Sequence, residues 1–159
     1  MYNRLVLNWS SIVLLFLLSA CGGAKKSSSG VMPPKPADNS KEVYFTPSMQ
    51  LMPLLEQAGK DGKLVYVDFV AEWCTPCKLM DRDVYTDPEI AAFFNKNFIN
   101  YKVDGEKGNG PNLVGIFEVK VYPTLLFLDA NGRVLERKEG AAYQTELRAI
   151  AENALRQAQ

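Results

Sequence analysis

The feature that most constrains this chain is a pair of cysteines two residues apart, in Trp73-Cys74-Thr75-Pro76-Cys77-Lys78, directly after the apolar run Leu64–Val70 (LVYVDFV). A continuous stretch of β-branched and aromatic residues reads as a strand buried on both faces. One residue in it does not belong, Asp68. The proline between the thiols suits the first turn of a helix, so the pair sits where a buried strand gives way to a helix. At this spacing two thiols can close a small disulfide ring when the second is one helical turn into the chain. Cys74 then stands at the helix N-terminus, where unpaired N–H groups and the macrodipole favour an anion. That raises its thiolate fraction, and the thiolate is the form that attacks disulfides. Cys77, inside the helix and more buried, is expected to be the resolving thiol.

Two other readings fit the pair. A zinc site normally needs four ligands, and a chain with three cysteines and no histidine has only carboxylates left to finish the shell once Cys21 is otherwise assigned. A purely structural disulfide suits an exported domain, but such pairs seldom follow a buried strand with Trp on one side and a helix-starting proline between them. The missing histidine also removes Ser-His-Asp and Cys-His catalysis. With 18 Lys and Arg against 18 Asp and Glu, there is no basic footprint of the kind that neutralises phosphates, so nucleic acid is not an expected partner.

The third cysteine belongs to the N-terminus. Met1-Tyr2-Asn3-Arg4 precedes a mostly apolar stretch that is unbroken from Ile12 to Leu18, the layout of an export signal. A membrane-spanning helix takes roughly 20 apolar residues, whereas this stretch is interrupted by Asn8, Ser10 and Ser11 and ends at Cys21. Leu18-Ser19-Ala20-Cys21 resembles the bacterial lipobox, which implies a signal peptide over 1–20 and a lipid on Cys21. Acyl chains would hold the mature protein on a bacterial membrane, facing the extracytoplasmic, periplasmic side of the cell envelope. Residues 22–40, rich in Gly, Ser, Pro and Lys, cannot bury enough surface to fold. They read as a flexible tether with a reach on the order of 25 Å.

Residues 41–159 are expected to form one domain. Thr46-Pro47 fits the start of a helix ending near Gly59, with Pro53 awkward in its interior. A helical stretch runs from Cys77 to about Val84, and Asp87-Pro88 opens a second. Phe98–Val103 reads as a strand, 105–111 as a loop and Leu113–Phe117 as a short helix. Thr124–Leu128 and Val134–Lys138 flank Asn131-Gly132, a hairpin signal. Tyr143, Leu147, Ile150, Ala154 and Leu155 place one apolar stripe on a closing helix. The order is α-β-α-β-α-β-β-α, a three-layer α/β domain.

With these pieces in hand, the sequence resembles the thioredoxin family. Val67 to Lys78 follows the family's active-site segment nearly residue for residue, with Thr75 where thioredoxin has Gly. Tyr122-Pro123-Thr124 matches its cis-proline motif, Asn131-Gly132 its hairpin turn and Gly140-Ala141 the segment before its last helix. Thr86-Asp87-Pro88-Glu89-Ile90 is similar to the C-terminal domain of membrane disulfide reductases. The resemblance implies a thioredoxin fold, a central mixed β-sheet flanked by helices. It implies that Asp68 is a buried acid able to take the Cys77 proton through water, and that Pro123 is cis beside the redox pair. Trp73, Thr75, Pro76, Tyr122 and Pro123 are then the substrate-binding rim, and Lys78 adds positive potential. The family's lysine near its buried acid aligns with Asn100, while Lys102 lies two residues on, on the same strand face.

The expected function is a membrane-tethered thiol-disulfide oxidoreductase that reduces protein disulfides and acts as a monomer. No flavin or nicotinamide motif is present, and neither cofactor nor metal is expected. A transmembrane thiol-transport protein is the expected electron donor. The competing readings are a disulfide oxidase or isomerase, and a non-catalytic redox-sensing binding lipoprotein.

Overall fold

The computed structural model describes residues 41–159; the expected signal peptide, lipidated Cys21 and tether lie outside the described residues. Four strands form one mixed sheet in the order β2-β1-β3-β4: β1 (Leu64–Val70), β2 (Phe98–Asp104), β3 (Thr124–Leu128) and β4 (Val134–Glu139). β1 lies parallel to β2 and antiparallel to β3, and β3 pairs antiparallel with β4. Alternation along the strands sends Leu64, Tyr66, Leu125 and Phe127 to one face, where they pack with Phe94 and Leu147. Val65, Val67, Phe69, Leu126 and Leu128 line the other face with Leu54, Leu55 and Leu113. Helices α2 (Thr75–Asp83), α3 (Pro88–Asn97) and α5 (Gln144–Gln157) supply the first layer, and α1 (Met52–Asp61) and α4 (Gly110–Ile116) the second. This is the expected three-layer α/β architecture with a central mixed sheet. No helix among the described residues is long and apolar enough to cross a membrane.

Several boundaries differ from the sequence expectation, each for a physical reason. α1 begins at Met52, not after Thr46-Pro47. The Thr46 N–H is committed to the Asn100 carbonyl, and Phe45 bridges to Asn100 in parallel, so this segment joins the sheet edge. Pro53 thereby falls in the first turn, where its missing N–H costs nothing, and the helix runs on to a left-handed Gly62. The two helical stretches expected between β1 and β2 are both present, as α2 and α3, and counting them separately the order is α-β-α-α-β-α-β-β-α. α4 opens three residues before Leu113, with Pro111 in its first turn. At Gly110 a Cβ would come within 1.8 Å of the Asp104 carbonyl oxygen, so only glycine lets the loop return that close to β2.

In the hairpin only Gly132 takes positive φ. Asp129 Oδ1 holds the turn by accepting the N–H groups of Asn131 and Arg133. On α5 the buried stripe is Leu147, Ala151 and Ala154, with Ile150 and Leu155 partly buried beside it. Tyr143 is the exposed N-cap.

α3 has a well-defined start. Asp87 Oδ1 accepts the N–H groups of Glu89 and Ile90 at 2.9 and 3.0 Å, satisfying donors that have no partner inside the helix. Asp87→Ala is expected to lower stability by about 1 kcal/mol, read as a lower urea midpoint with an unchanged slope.

Candidate active site

The redox pair sits where β1 ends and α2 begins. Cys74 is the N-cap of α2, with extended backbone (φ −73°, ψ 101°), and its Sγ accepts the Cys77 N–H at 3.2 Å. Cys74 and Cys77 are joined in a disulfide with their Cα atoms 5.4 Å apart, inside the range that native disulfides span. A helix N-terminus presents the partial positive charge that stabilises a thiolate, so the sulfur released at Cys74 on reduction stays in a favourable field. One expectation is corrected. In the disulfide form Cys74 and Cys77 are both buried, 1% and 4% exposed as whole residues, so Cys77 is not the more buried of the two. Ring closure holds the Cys74 sulfur against the first turn of α2, and Tyr122 packs on the cluster of Ala71, Cys74 and Cys77.

Asp68 lies in the middle of the sheet, 1% exposed, opposite Lys102 on β2 and Leu125 on β3. Burial pushes its carboxyl up to about 6, against the pull of the Lys102 charge and of a hydrogen bond from Tyr85. The Lys102 ammonium is 3.6 Å from Asp68 Oδ2 and also pairs with Asp81. It sits over the rings of Phe45 and Tyr85, 4.4 and 4.8 Å from their centroids, which replaces part of its lost hydration. The cation beside the buried acid is therefore Lys102. Asn100, the aligned position, instead donates its Nδ2 hydrogens to the Tyr44 carbonyl and Asn95 Oδ1, fastening the N-terminal segment to the sheet.

The expected rim residues divide by exposure. Trp73 is 66% exposed, and Thr75, Pro76 and Lys78 are exposed on the first turn of α2. Trp73 meets Tyr122 edge to face at 5.9 Å, and the Tyr122–Pro123 bond is cis, with Pro123 buried. Cys74, Cys77, Trp73 and Tyr122 are thus brought together. Cys21 is outside the described residues.

Sequence reasoning missed several members of the site. Glu106 Oε1 accepts the Trp73 indole N–H at 2.9 Å, and Lys107 pairs with Glu72 at 2.6 Å, so the turn after β2 clasps the segment before Cys74. In the same turn Gly105 lies against Tyr122, where a Cβ would come within 2.1 Å of the tyrosine hydroxyl. Around Asp68, Tyr85, Tyr66 and Asp81 were also missed. Asp81 stands four residues after Cys77 on α2, one turn along the same face, a spacing from which it could have been read.

A family model described as thioredoxin-like matches residues 50–130. The chain belongs to the thioredoxin-like family. Thioredoxin of Buchnera aphidicola is 32% identical over 58% of this chain and 81% of its own length. The thiol:disulfide interchange protein DsbD of Tatumella citrea is 30% identical over 57% of this chain, but over only 16% of that much longer protein. Among solved structures, a candidate disulphide-isomerase from Bacteroides thetaiotaomicron superposes with a TM-score of 0.64 at 35% identity, covering 72% of this chain and 93% of its own.

The raised Asp68 value makes stability depend on pH. Between its ordinary value of 3.8 and about 6, the folded protein holds a proton that the unfolded chain has released, so stability falls as pH rises through that window. A shift of about two units corresponds to a loss on the order of 3 kcal/mol. Asp68→Asn, kept oxidised, is expected to be more stable than wild type at pH 8, with that advantage shrinking toward pH 4 in urea titrations. An advantage independent of pH would contradict the assignment.

Proposed function

We propose that this chain is a cell-envelope thiol-disulfide oxidoreductase, held on a bacterial membrane by a lipid on Cys21, that reduces disulfides in exported proteins. Oxidoreductase chemistry rests on family membership together with one observation: a Cys74–Cys77 disulfide capping the N-terminus of α2. In the reduced protein the Cys74 thiolate attacks one sulfur of a substrate disulfide, and the other substrate sulfur leaves as a thiolate. A mixed disulfide then links Cys74 to the substrate. Cys77 gives its proton to Asp68 and attacks Cys74 Sγ, expelling the second substrate sulfur. The substrate has gained two electrons and the chain is left with its Cys74–Cys77 bond.

Trp73, Thr75, Pro76, Tyr122 and Pro123 form the surface against which the substrate segment lies. The exposed Trp73 edge and first turn of α2 support that role. Reduction as the working direction is supported by Pro76 and by a buried acid poised to act as a base near neutrality. Sustained reduction needs electrons from another protein, and a transmembrane thiol carrier fits, given the resemblance to a segment of the larger DsbD. In this reading residues 1–20 are a signal peptide, 21–40 a tether, and the domain acts as a monomer on the periplasmic side.

Insulin-disulfide reduction tests the enzyme reading. Cys74→Ser, which removes the attacking thiolate, is expected to lose at least about 100-fold in rate; activity equal to wild type would leave only a non-catalytic binding or sensing lipoprotein. Direction is read from the reduction potential of the pair. A value near about −270 mV is expected for a reductant, and one near about −120 mV would make the protein an oxidant.

A further inference from the structure

The two oxygens of Asp68 are treated differently by their surroundings. Oδ2 accepts the Tyr85 hydroxyl at 3.0 Å and lies 3.6 Å from the Lys102 ammonium. Oδ1 is buried and has no hydrogen-bond partner among the described residues. Behind Tyr85 stands a second hydroxyl, with Tyr66 Oη 2.7 Å from Tyr85 Oη. Since the single Tyr85 hydroxyl hydrogen is given to Asp68, Tyr66 is the donor of that second bond, and the chain runs Tyr66 to Tyr85 to Asp68. We propose that Tyr85 is a positioning residue: by holding Oδ2, its hydroxyl keeps Oδ1 as the atom on which Asp68 takes up a proton.

Protonating Oδ2 would displace the Tyr85 hydrogen, turn back the hydroxyl chain and set the new proton against the Lys102 charge. Protonating Oδ1 disturbs neither contact and neutralises the carboxyl at the end that no donor compensates, leaving a neutral O–H where a buried, unpartnered carboxylate oxygen would stand. The tyrosines act as donors throughout, because burial, and next the Asp68 charge, push both hydroxyls well above their ordinary range. Among the described residues no other side chain hydrogen-bonds Oδ1. Lys102 faces Asp68 from β2 and Asp81 acts on it from α2, paired through that lysine, while β3 offers only Leu125. The Tyr85 ring is fixed by edge contacts with Phe45 and Tyr66, at 5.0 and 6.4 Å between centroids. Tyr85→Phe therefore keeps the ring and removes the hydroxyl together with its hydrogen bonds to Asp68 and Tyr66.

This inference rests on Asp68 being the proton acceptor in the reaction proposed above, and the test separates the two. The Asp68 carboxyl is titrated by carbon-13 NMR in wild type, Tyr85→Phe and Tyr66→Phe, with Asp68→Asn identifying the resonance. A donated hydrogen bond favours the charged form, so Tyr85→Phe is expected to raise the Asp68 pKa by about one unit. Tyr66→Phe, one bond further away, is expected to raise it by less. An unchanged value in a natively folded Tyr85→Phe overturns the inference; should that variant not fold, an unchanged value in Tyr66→Phe overturns it. Exchange kinetics give the second readout. If the carboxyl moves with Tyr85 while wild type and Asp68→Asn share one pH–rate profile, the positioning inference stands and the reaction role of Asp68 falls.

Discussion

The structure around the redox pair is organised by one costly act, the removal of the Asp68 carboxylate from water. An ionised carboxylate buried without compensation would abandon its charge. Here Lys102 and Tyr85 return part of the lost solvation, and the carboxyl settles at about 6 instead of far higher. Each helper needs support of its own. Lys102 rests over two aromatic rings and pairs with Asp81, and Tyr85 is backed by Tyr66. Residues from β1, β2, α2 and the N-terminal segment thus converge on one side chain.

β1 carries the buried acid and leads directly to the redox pair. It is flanked by β2 on one side and β3 on the other, so two hydrogen-bonded ladders fix the position of Asp68. Its C-terminal end delivers the chain directly to Cys74, the N-cap of α2. The disulfide and the acid are consequently set by the same strand, and neither depends on a mobile loop. The rim is built differently, from the Trp73–Glu106 and Lys107–Glu72 contacts with the turn after β2. Those pairs are solvent-exposed, where ion pairs contribute little to stability, so their effect is to orient Trp73 and not to hold the fold.

Much of this was legible in the sequence wherever one local pattern decided the outcome. The unbroken apolar run gave β1 its full length, Asp68 stood out as foreign to it, and the proline between the thiols marked the start of α2. Lys102 could be placed on the same strand face as Asn100, the position that the family resemblance aligns with its lysine, by the two-residue period. Legibility failed where a distant partner decided. Thr46-Pro47 reads as a helix start until the Thr46 N–H is seen to belong to Asn100. Tyr85, 17 residues from Asp68, carries no local sign of reaching it. The relative burial of the two cysteines depends on ring closure and on Tyr122, which no spacing rule contains.

The central claim is that Asp68 accepts the Cys77 proton as the mixed disulfide resolves. The direct measurement is a single-turnover one: load a mixed disulfide on Cys74 and follow its release by Cys77 as a function of pH. The account predicts a rate that rises with a midpoint near 6, following ionisation of Asp68, and a roughly 100-fold slower release without that midpoint in Asp68→Asn. Identical profiles in the two proteins would contradict it.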